Sequence, residues 1–219
     1  MTLLLASGSP RRRDLISLLG LPFRVIKTDL DESRLPDEPP IKYVTRLSRE
    51  KAQAARQFAT SPSLILAADT AVVDGADVLG KPVDVADARA MLIRLRDRTH
   101  TVCTAITLLE PSSGRMITEV VSSPVLMRPY SDSEIEQYIA SGDPFDKAGA
   151  YAIQHPDFHP VESFDHCYAN VMGLPLCHVA RMLHSLKSPP SADAPSACQQ
   201  ALGYPCPIWR SVLPPSQKT

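Results

Sequence analysis

The chain opens on an apolar run, Leu3-Leu4-Leu5-Ala6, which predicts a short buried strand. Ser7-Gly8-Ser9 then makes a tight turn into a helix, with Ser9 as N-cap and Pro10 at the first helical position. Leu15, Ile16, Leu18 and Leu19 give that helix its apolar face, and Gly20 followed by Pro22 stops it. A short strand is expected over 23–26. Val44, Leu47, Ala54, Ala55 and Phe58 fall on one side of a predicted helix over 41–58, and Lys51 lies in the middle of that stripe. A lysine so placed either snorkels to the surface or meets a charged partner inside. Leu64 to Ala68 is a second run of buried-strand character, ending at Asp69-Thr70. A carboxylate at the carboxyl end of such a strand is where α/β proteins place ligand-binding groups. Val72-Val73 and Val78-Leu79 read as a hairpin, after which the turn Gly80-Lys81-Pro82 presents Lys81.

Further along, Asp84 caps a helix with Ala88, Met91, Leu92 and Leu95 inward, while Arg89, Arg94, Arg96 and Arg98 read as a solvated face. The β-branched stretch 99–109 predicts a long strand whose antiparallel neighbour is 116–125. Ser131 and Glu134 form a capping box for a helix closed by Gly142, and Pro175 opens a last amphipathic helix. The pattern as a whole predicts an α/β start with an α+β extension. Residues 1–186 form the expected domain. Residues 187–219, Pro-rich among Ser and Ala, are expected to be a disordered or loosely docked tail.

Composition narrows the function. With 219 residues, 44% hydrophobic and 21% charged, the chain suits one sizeable soluble domain, or two small ones sharing a cleft. A net charge of −1 gives no general attraction to nucleic acid or to a membrane surface, so any anion binding must be local. The five cysteines are odd in number, scattered, and without a C-x-x-C pair, which argues against a disulfide framework and a zinc site and for a reducing cytoplasm. Neither a signal peptide nor a bilayer-spanning run is apparent.

Against that background the placement of Arg11, Arg12 and Arg13 matters. Cations in the first turn of a helix oppose the macrodipole, and the arrangement makes sense if an anion binds there. The acidic loop 29–32 supplies Glu32, and Lys147 stands beside Gly149, where backbone can approach a ligand closely. Together with Ser7, Lys51, Asp69 and Lys81, these residues are the mixture that polyphosphate chemistry needs: cations against phosphate charge, carboxylates for a divalent metal, and one carboxylate to activate water.

Several stretches also carry a family resemblance. Ser7-Gly8-Ser9-Pro10-Arg11-Arg12, Arg49-Glu50-Lys51-Ala52, Ala68-Asp69-Thr70 with Val78 to Pro82, Arg98-Thr99-His100, Asp146 to Gln154, and Asn170 to Leu176 resemble, in order over residues 3–186, the Maf family of nucleoside triphosphate pyrophosphatases. The resemblance implies a Maf/ITPase-like fold, with a mixed twisted sheet flanked by helices and two lobes around a nucleotide-binding cleft. It implies hydrolysis of a nucleoside triphosphate to monophosphate and pyrophosphate, with Mg²⁺ or Mn²⁺, and homodimers are common among such proteins. It also implies Asp69 as proton acceptor, Ser7, Arg12, Lys51, Lys81 and Lys147 around the phosphates, and Glu32 with Asp69 at the metal.

Arg11, Thr70 and Gln154 match the substrate-discriminating positions of the dTTP/UTP-hydrolysing group; the 7-methyl-GTP group resembles this chain less, with an aromatic residue, Gln and Glu there. The chain departs from the pattern at His155 to Pro160 and at Cys167-Tyr168-Ala169, which bears on the wall near the base. His155, His159 and His166 fit no zinc spacing and read as loop histidines. Two alternatives stay open: Asp69 as base or chiefly as metal ligand, and a non-enzymatic nucleotide-binding regulator of cell division in place of an enzyme.

Overall fold

The structure is a computed structural model that describes residues 2–213. β1 (Thr2–Ala6), α1 (Pro10–Ser17) and β2 (Phe23–Ile26) make a β-α-β unit with parallel strands. α2 (Pro40–Ala54) then leads to β3 (Ser63–Asp74), which pairs parallel to the other side of β1. A tight hairpin adds β4 (Asp77–Leu79), and α3 (Val85–Leu95) follows. The long strands β5 (Thr99–Leu109) and β6 (Met116–Met127) are antiparallel, and after α4 (Asp132–Ala140) the short β7 (Val161–Ser163) joins β6. α5 (Tyr168–Val171), α6 (Leu176–Ser185), α7 (Ala194–Leu202) and α8 (Trp209–Val212) complete the described chain. The sheet runs β2-β1-β3-β5-β6-β7 with β4 also on β3, a mixed sheet flanked by helices, as the α/β expectation required.

The feature that positions the site is an interruption beside β3. On one side β3 pairs with β5 from Ile65 to Val73; on the other, β1 ends opposite Ala67 and β4 begins only at Val72. Residues 68–71 therefore have a strand neighbour on one side alone, and the opening that results is the floor of the cleft. Asp69 thus sits in the middle of a long strand, not at its carboxyl end as the apolar run suggested. The strand end that matters belongs to β1, whose early stop exposes the middle of its longer neighbour.

Two apolar clusters lie at opposite ends of β3. Leu3, Leu5, Leu15, Ile16, Leu66 and Leu183 join the β1 end to α1 and α6. Val72, Leu92, Val125, Tyr130, Ile135 and Ile139 join the other end to α3 and α4. Each fully buried Leu or Ile contributes about 1.5–3 kcal/mol relative to exposure, so each end of β3 has an apolar anchor of its own. The caps form as the sequence predicts: the Ser9 side chain accepts from Arg12 N, and Ser131 and Glu134 close a reciprocal capping box.

Two expectations meet a different outcome. Residues 187–213 contain helices α7 and α8, and Ala194 and Cys198 are buried in the same cluster as α1 and α6. Asp193 caps α7, while residues 214–219, also assigned to the tail by composition, lie outside the described residues. The arginines of the α3 region are paired instead of merely solvated. Arg94 binds Asp74 and Asp77 at 2.7 Å, Arg98 binds Asp74 at 3.3 Å, and Arg96 and Arg89 reach Asp132 and Glu136 at 2.6 Å. Arg94 and Arg98 thereby tie the β3–β4 hairpin to α3, a long-range pairing that helical periodicity cannot reveal.

Candidate active site

All ten sequence-predicted site residues, Ser7, Arg11, Arg12, Glu32, Lys51, Asp69, Thr70, Lys81, Lys147 and Gln154, line one cavity of about 520 Å³. Its centre is Asp69, buried on the β3 floor. Lys51 comes down from α2, whose apolar stripe packs on the sheet, and its Nζ donates to Asp69 Oδ1 at 2.6 Å and meets Glu32 Oε1 at 2.9 Å. Of the two fates open to an inward lysine, this is the charged partner. Burial raises the Asp69 carboxyl above its ordinary value, with Lys51 and then Arg12 opposing. That direction suits a group meant to accept a proton near neutrality.

Glu32 is held in place by residues that the sequence reading passed over. Tyr43 Oη donates to the Glu32 carbonyl at 2.9 Å. Arg46, one turn along α2, donates to the Ser33 carbonyl at 3.0 Å and to both Glu38 oxygens at 2.8 Å. Their spacing of three on a helix was the available signal.

The three arginines of α1 separate cleanly. Arg12 points inward, donating to Ala68 O at 2.7 Å, Gly173 O at 2.8 Å, Thr70 Oγ1 at 2.9 Å and Ser7 Oγ at 3.4 Å. The Ala68 bond falls within the sheet opening, where β3 has no neighbour on that side. Burial lowers the Arg12 pKa and Asp69 opposes, yet an arginine stays charged throughout. Arg12 is thus a pin that joins β1, β3 and the α5–α6 turn, with most of its donors already engaged. Arg11 faces the cleft and binds Asp146 at 3.2 Å, and Arg13 lies outside beside Asp14.

Thr70 is part of a polar ladder into the core. Its hydroxyl meets Thr104 Oγ1 at 2.9 Å, Thr104 donates to Asn170 O at 3.0 Å, and Asn170 Nδ2 donates to Val102 O and Ser123 Oγ. Gly173 has φ +102°, and a Cβ there would stand 3.1 Å from Thr70 Oγ1 and 3.3 Å from Arg12 Nε. Only glycine leaves the Arg12–Thr70 contact undisturbed.

On the opposite wall, Gly149 N donates to Gly80 O at 2.9 Å, clipping the Lys81 turn to the Lys147 segment. Lys147 is buried and donates to Asp143 O at 2.6 Å and Asp143 Oδ1 at 2.8 Å, and also pairs with Asp146. Gln154 stands exposed at the mouth. His100, from a motif given no task by the sequence, meets Tyr151 Oη through Nε2 at 2.8 Å, and Tyr151 lines the cleft. Burial pushes His100 down to about 4, so the imidazole is neutral at physiological pH. Lys27 and Thr28 also line the cleft and were not anticipated.

Among the described residues no group of three or more His, Cys, Asp or Glu side chains is arranged to hold a metal. Glu32 and Asp69 nonetheless converge on the single point of Lys51 Nζ. Two hard carboxylate oxygens fit Mg²⁺ or Mn²⁺ of the kind that completes its shell with water and substrate phosphates.

A mixed sheet opened over a carboxylate, with a capped Ser-Arg turn and lysines on both walls, is the frame of an anion-binding α/β protein. The chain belongs to the family described as Maf-like protein, whose model matches residues 2–186. A relative from Anaeromyxobacter dehalogenans is 46% identical over 183 residues, covering 83% of this chain and 92% of the relative. One from Thermomicrobium roseum is 44% identical over 216 residues, covering 95% and 94%, so its match extends into the C-terminal helices. One from Citrifermentans bemidjiense is 41% identical over 182 residues, covering 83% and 94%. All three carry the name dTTP/UTP pyrophosphatase. The solved Staphylococcus aureus Ham1 protein is 13% identical with a TM-score of 0.38, covering 68% of this chain and 85% of that one, a likeness too slight to carry weight. No helix among the described residues is long and apolar enough to cross a membrane.

Proposed function

We propose that this chain hydrolyses dTTP and UTP to the monophosphate and pyrophosphate, by water attack on the α-phosphorus. The observation that supports it most directly is Asp69, a buried carboxylate held by Lys51 on the floor of a cleft walled by cations. Lys51 donates to Oδ1, and when Asp69 acts as base Oδ2 is the oxygen left freer for the water proton. Lys81 and Lys147 face the charge that spreads over the phosphate oxygens in the transition state. Ser7 and the capped turn at the start of α1 set the phosphate end, and Arg11 and Gln154 border the base. Arg12 acts by fixing Ser7 and Thr70. Glu32 and Asp69 are the carboxylates that would hold Mg²⁺ or Mn²⁺, which would supply charge neutralisation of the triphosphate.

A panel of nucleoside triphosphates assayed for pyrophosphate release tests the reading. dTTP and UTP should lead, modified pyrimidine triphosphates such as 5-methyl-UTP or pseudo-UTP should follow, and 7-methyl-GTP should lag. Hydrolysis in ¹⁸O water should place the label in the monophosphate, and Asp69→Asn should lower turnover by about 10²-fold or more. UTP binding without pyrophosphate release would favour the regulator, and an unimpaired Asp69→Asn protein would remove Asp69 from the chemistry.

A further inference from the structure

Asp69 and Thr70 are adjacent in β3, so their side chains leave the sheet on opposite faces, yet both line the cleft. The opening between β1 and β4 lets the cleft reach both faces. On the Asp69 face stand Lys51 and Glu32. On the Thr70 face, Val72 and Val102 are an in-register cross-strand pair, and they line the cleft together with Val171 and Met172 of the same apolar cluster. An apolar flank with one well-placed polar group suits a nucleoside better than a phosphate chain.

The polar group is the Thr70 hydroxyl, which is partly exposed, and the direction of its proton follows from its partners. Thr104 stands opposite Thr70 on β5 and is fully buried. Its hydroxyl has a single proton, and that proton goes to the Asn170 carbonyl at 3.0 Å, because a carbonyl only accepts. In the 2.9 Å contact between the two hydroxyls Thr104 Oγ1 is therefore the acceptor, and the Thr70 proton is committed to it. One Thr70 lone pair takes Arg12 Nη2 at 2.9 Å. What Thr70 has left for the cleft is a lone pair and no proton.

The far end of this ladder is fixed. Asn170 O also accepts from Gly173 N at 2.9 Å, and Asn170 Nδ2 donates to Val102 O at 3.1 Å and Ser123 Oγ at 3.0 Å. The carbonyl that orients Thr104 is thus held by three bonds besides its own, and the order of donors runs one way from Thr70 into the core.

We propose, resting on the dTTP and UTP reading above, that Thr104 is a positioning residue that fixes the Thr70 hydroxyl as an acceptor toward the cleft. Thr70 then selects an N–H or O–H donor of the nucleoside and turns away phosphate oxygens, which when ionised offer acceptors only. dTTP and UTP share two such donors, the ring imide N–H and the 3′-hydroxyl; the 2′-hydroxyl is absent from dTTP. Thr104 is buried and acts only through Thr70.

Neutron diffraction from deuterated crystals of the unaltered full chain locates both hydroxyl deuterons whatever the activity. The Thr104 deuteron is expected on Asn170 O and the Thr70 deuteron on Thr104 Oγ1; a Thr70 deuteron aimed into the cleft overturns the proposal. Kinetics with dTTP, its N3-methyl derivative and its 3′-deoxy derivative test the consequence. For the analogue that lacks the donor in use, KM should exceed that for dTTP by about 3–10-fold, which also tells imide from 3′-hydroxyl. Thr104→Val frees the Thr70 proton and should raise KM for dTTP by about 3–10-fold with little change in kcat, closing the gap to that analogue. Thr104→Ser should restore parental values, and in a Thr70→Val background Thr104→Val should add nothing further. Equal KM values for the three triphosphates in the parental chain, a gap that Thr104→Val leaves intact, or losses that add in the double variant would each overturn the proposal. Absence of pyrophosphate release from dTTP by the parental chain defeats the hydrolysis reading instead, and the deuteron positions still decide the polarity of Thr70.

Discussion

Replacing Lys51 by Met keeps the aliphatic stem but removes the ammonium between Asp69 and Glu32. Glu32 is more than half exposed, at 55% of its side chain, and regains water readily. Asp69 is buried and keeps only the attraction of Arg12. Removing one partner of a buried ion pair costs about 3–5 kcal/mol while the other stays charged. Arg12 places the expected loss at the low end, about 3 kcal/mol at pH 8. The loss is pH-dependent. Burial already raises Asp69 with Lys51 present, and without Lys51 it rises further. The native carboxyl then holds its proton more tightly than the unfolded one, so stability falls as pH climbs from the unfolded pKa, roughly 3.9, through the raised native value. The deficit should be smaller at pH 5 than at pH 8, because a raised carboxyl holds more of its proton at the lower pH. Urea unfolding of both proteins at pH 5 and pH 8 measures it, provided the slopes agree. Adding Asp69→Asn to Lys51→Met should restore most of the loss at pH 8. A deficit equal at the two pH values, or one that Asp69→Asn does not relieve, refutes an uncompensated Asp69 charge as its source.

His100 should add an opposite trend at lower pH. Its native value of about 4 lies below the ordinary 6.5, so the unfolded chain takes the proton first and stability falls as pH drops through that window. The contribution is at most about 3 kcal/mol, and His100→Gln, compared with the parent by unfolding at pH 6.5 and pH 4.5, should lose less stability between the two. Gly149→Ala forces a left-handed residue, φ +69°, and brings its Cβ to 2.9 Å from Val72 Cγ1. The expected destabilisation is about 1–3 kcal/mol with a raised KM for the triphosphate, because the clip to Gly80 loosens; a parental Tm and KM would show that the close contact is tolerated.

Much of the site was legible in the sequence because its signals are local. Lys51 stood out by breaking an apolar stripe, Ser9-Pro10 by its cap, and Lys81 by its rigid turn, and each needed only neighbouring residues to be seen. Asp69 was found for a reason that the fold revises: the apolar run stops at Ala68, but the strand goes on to Asp74 because β5 and β4 continue the ladder. The identity of a strand's neighbours is not written in its own periodicity. The pairing of Arg94 and Arg98 with Asp74 escaped for the same reason, since the partners lie on another element. The C-terminal segment was misread by composition. Its prolines suggest a chain unable to build a core, and it builds none alone, but Ala194, Cys198 and Val212 cover apolar surface that α6 and its neighbours provide.

The internal pairing of the cleft cations has a consequence for ligand choice. Six cations and three carboxylates line the cavity, and Arg11, Lys51 and Lys147 are already held by Asp146, Asp69, Glu32 and Asp143. An anion that engages Arg11 or Lys147 must displace a resident carboxylate, and these carboxylates are tethered at high effective concentration. A single phosphate can displace one such group and gains little. A chain of phosphates displaces several at once and gains on each. The carboxylates on Arg11 and Lys147 therefore favour a ligand with several phosphates, which can replace both of them at once, over one that can replace only one.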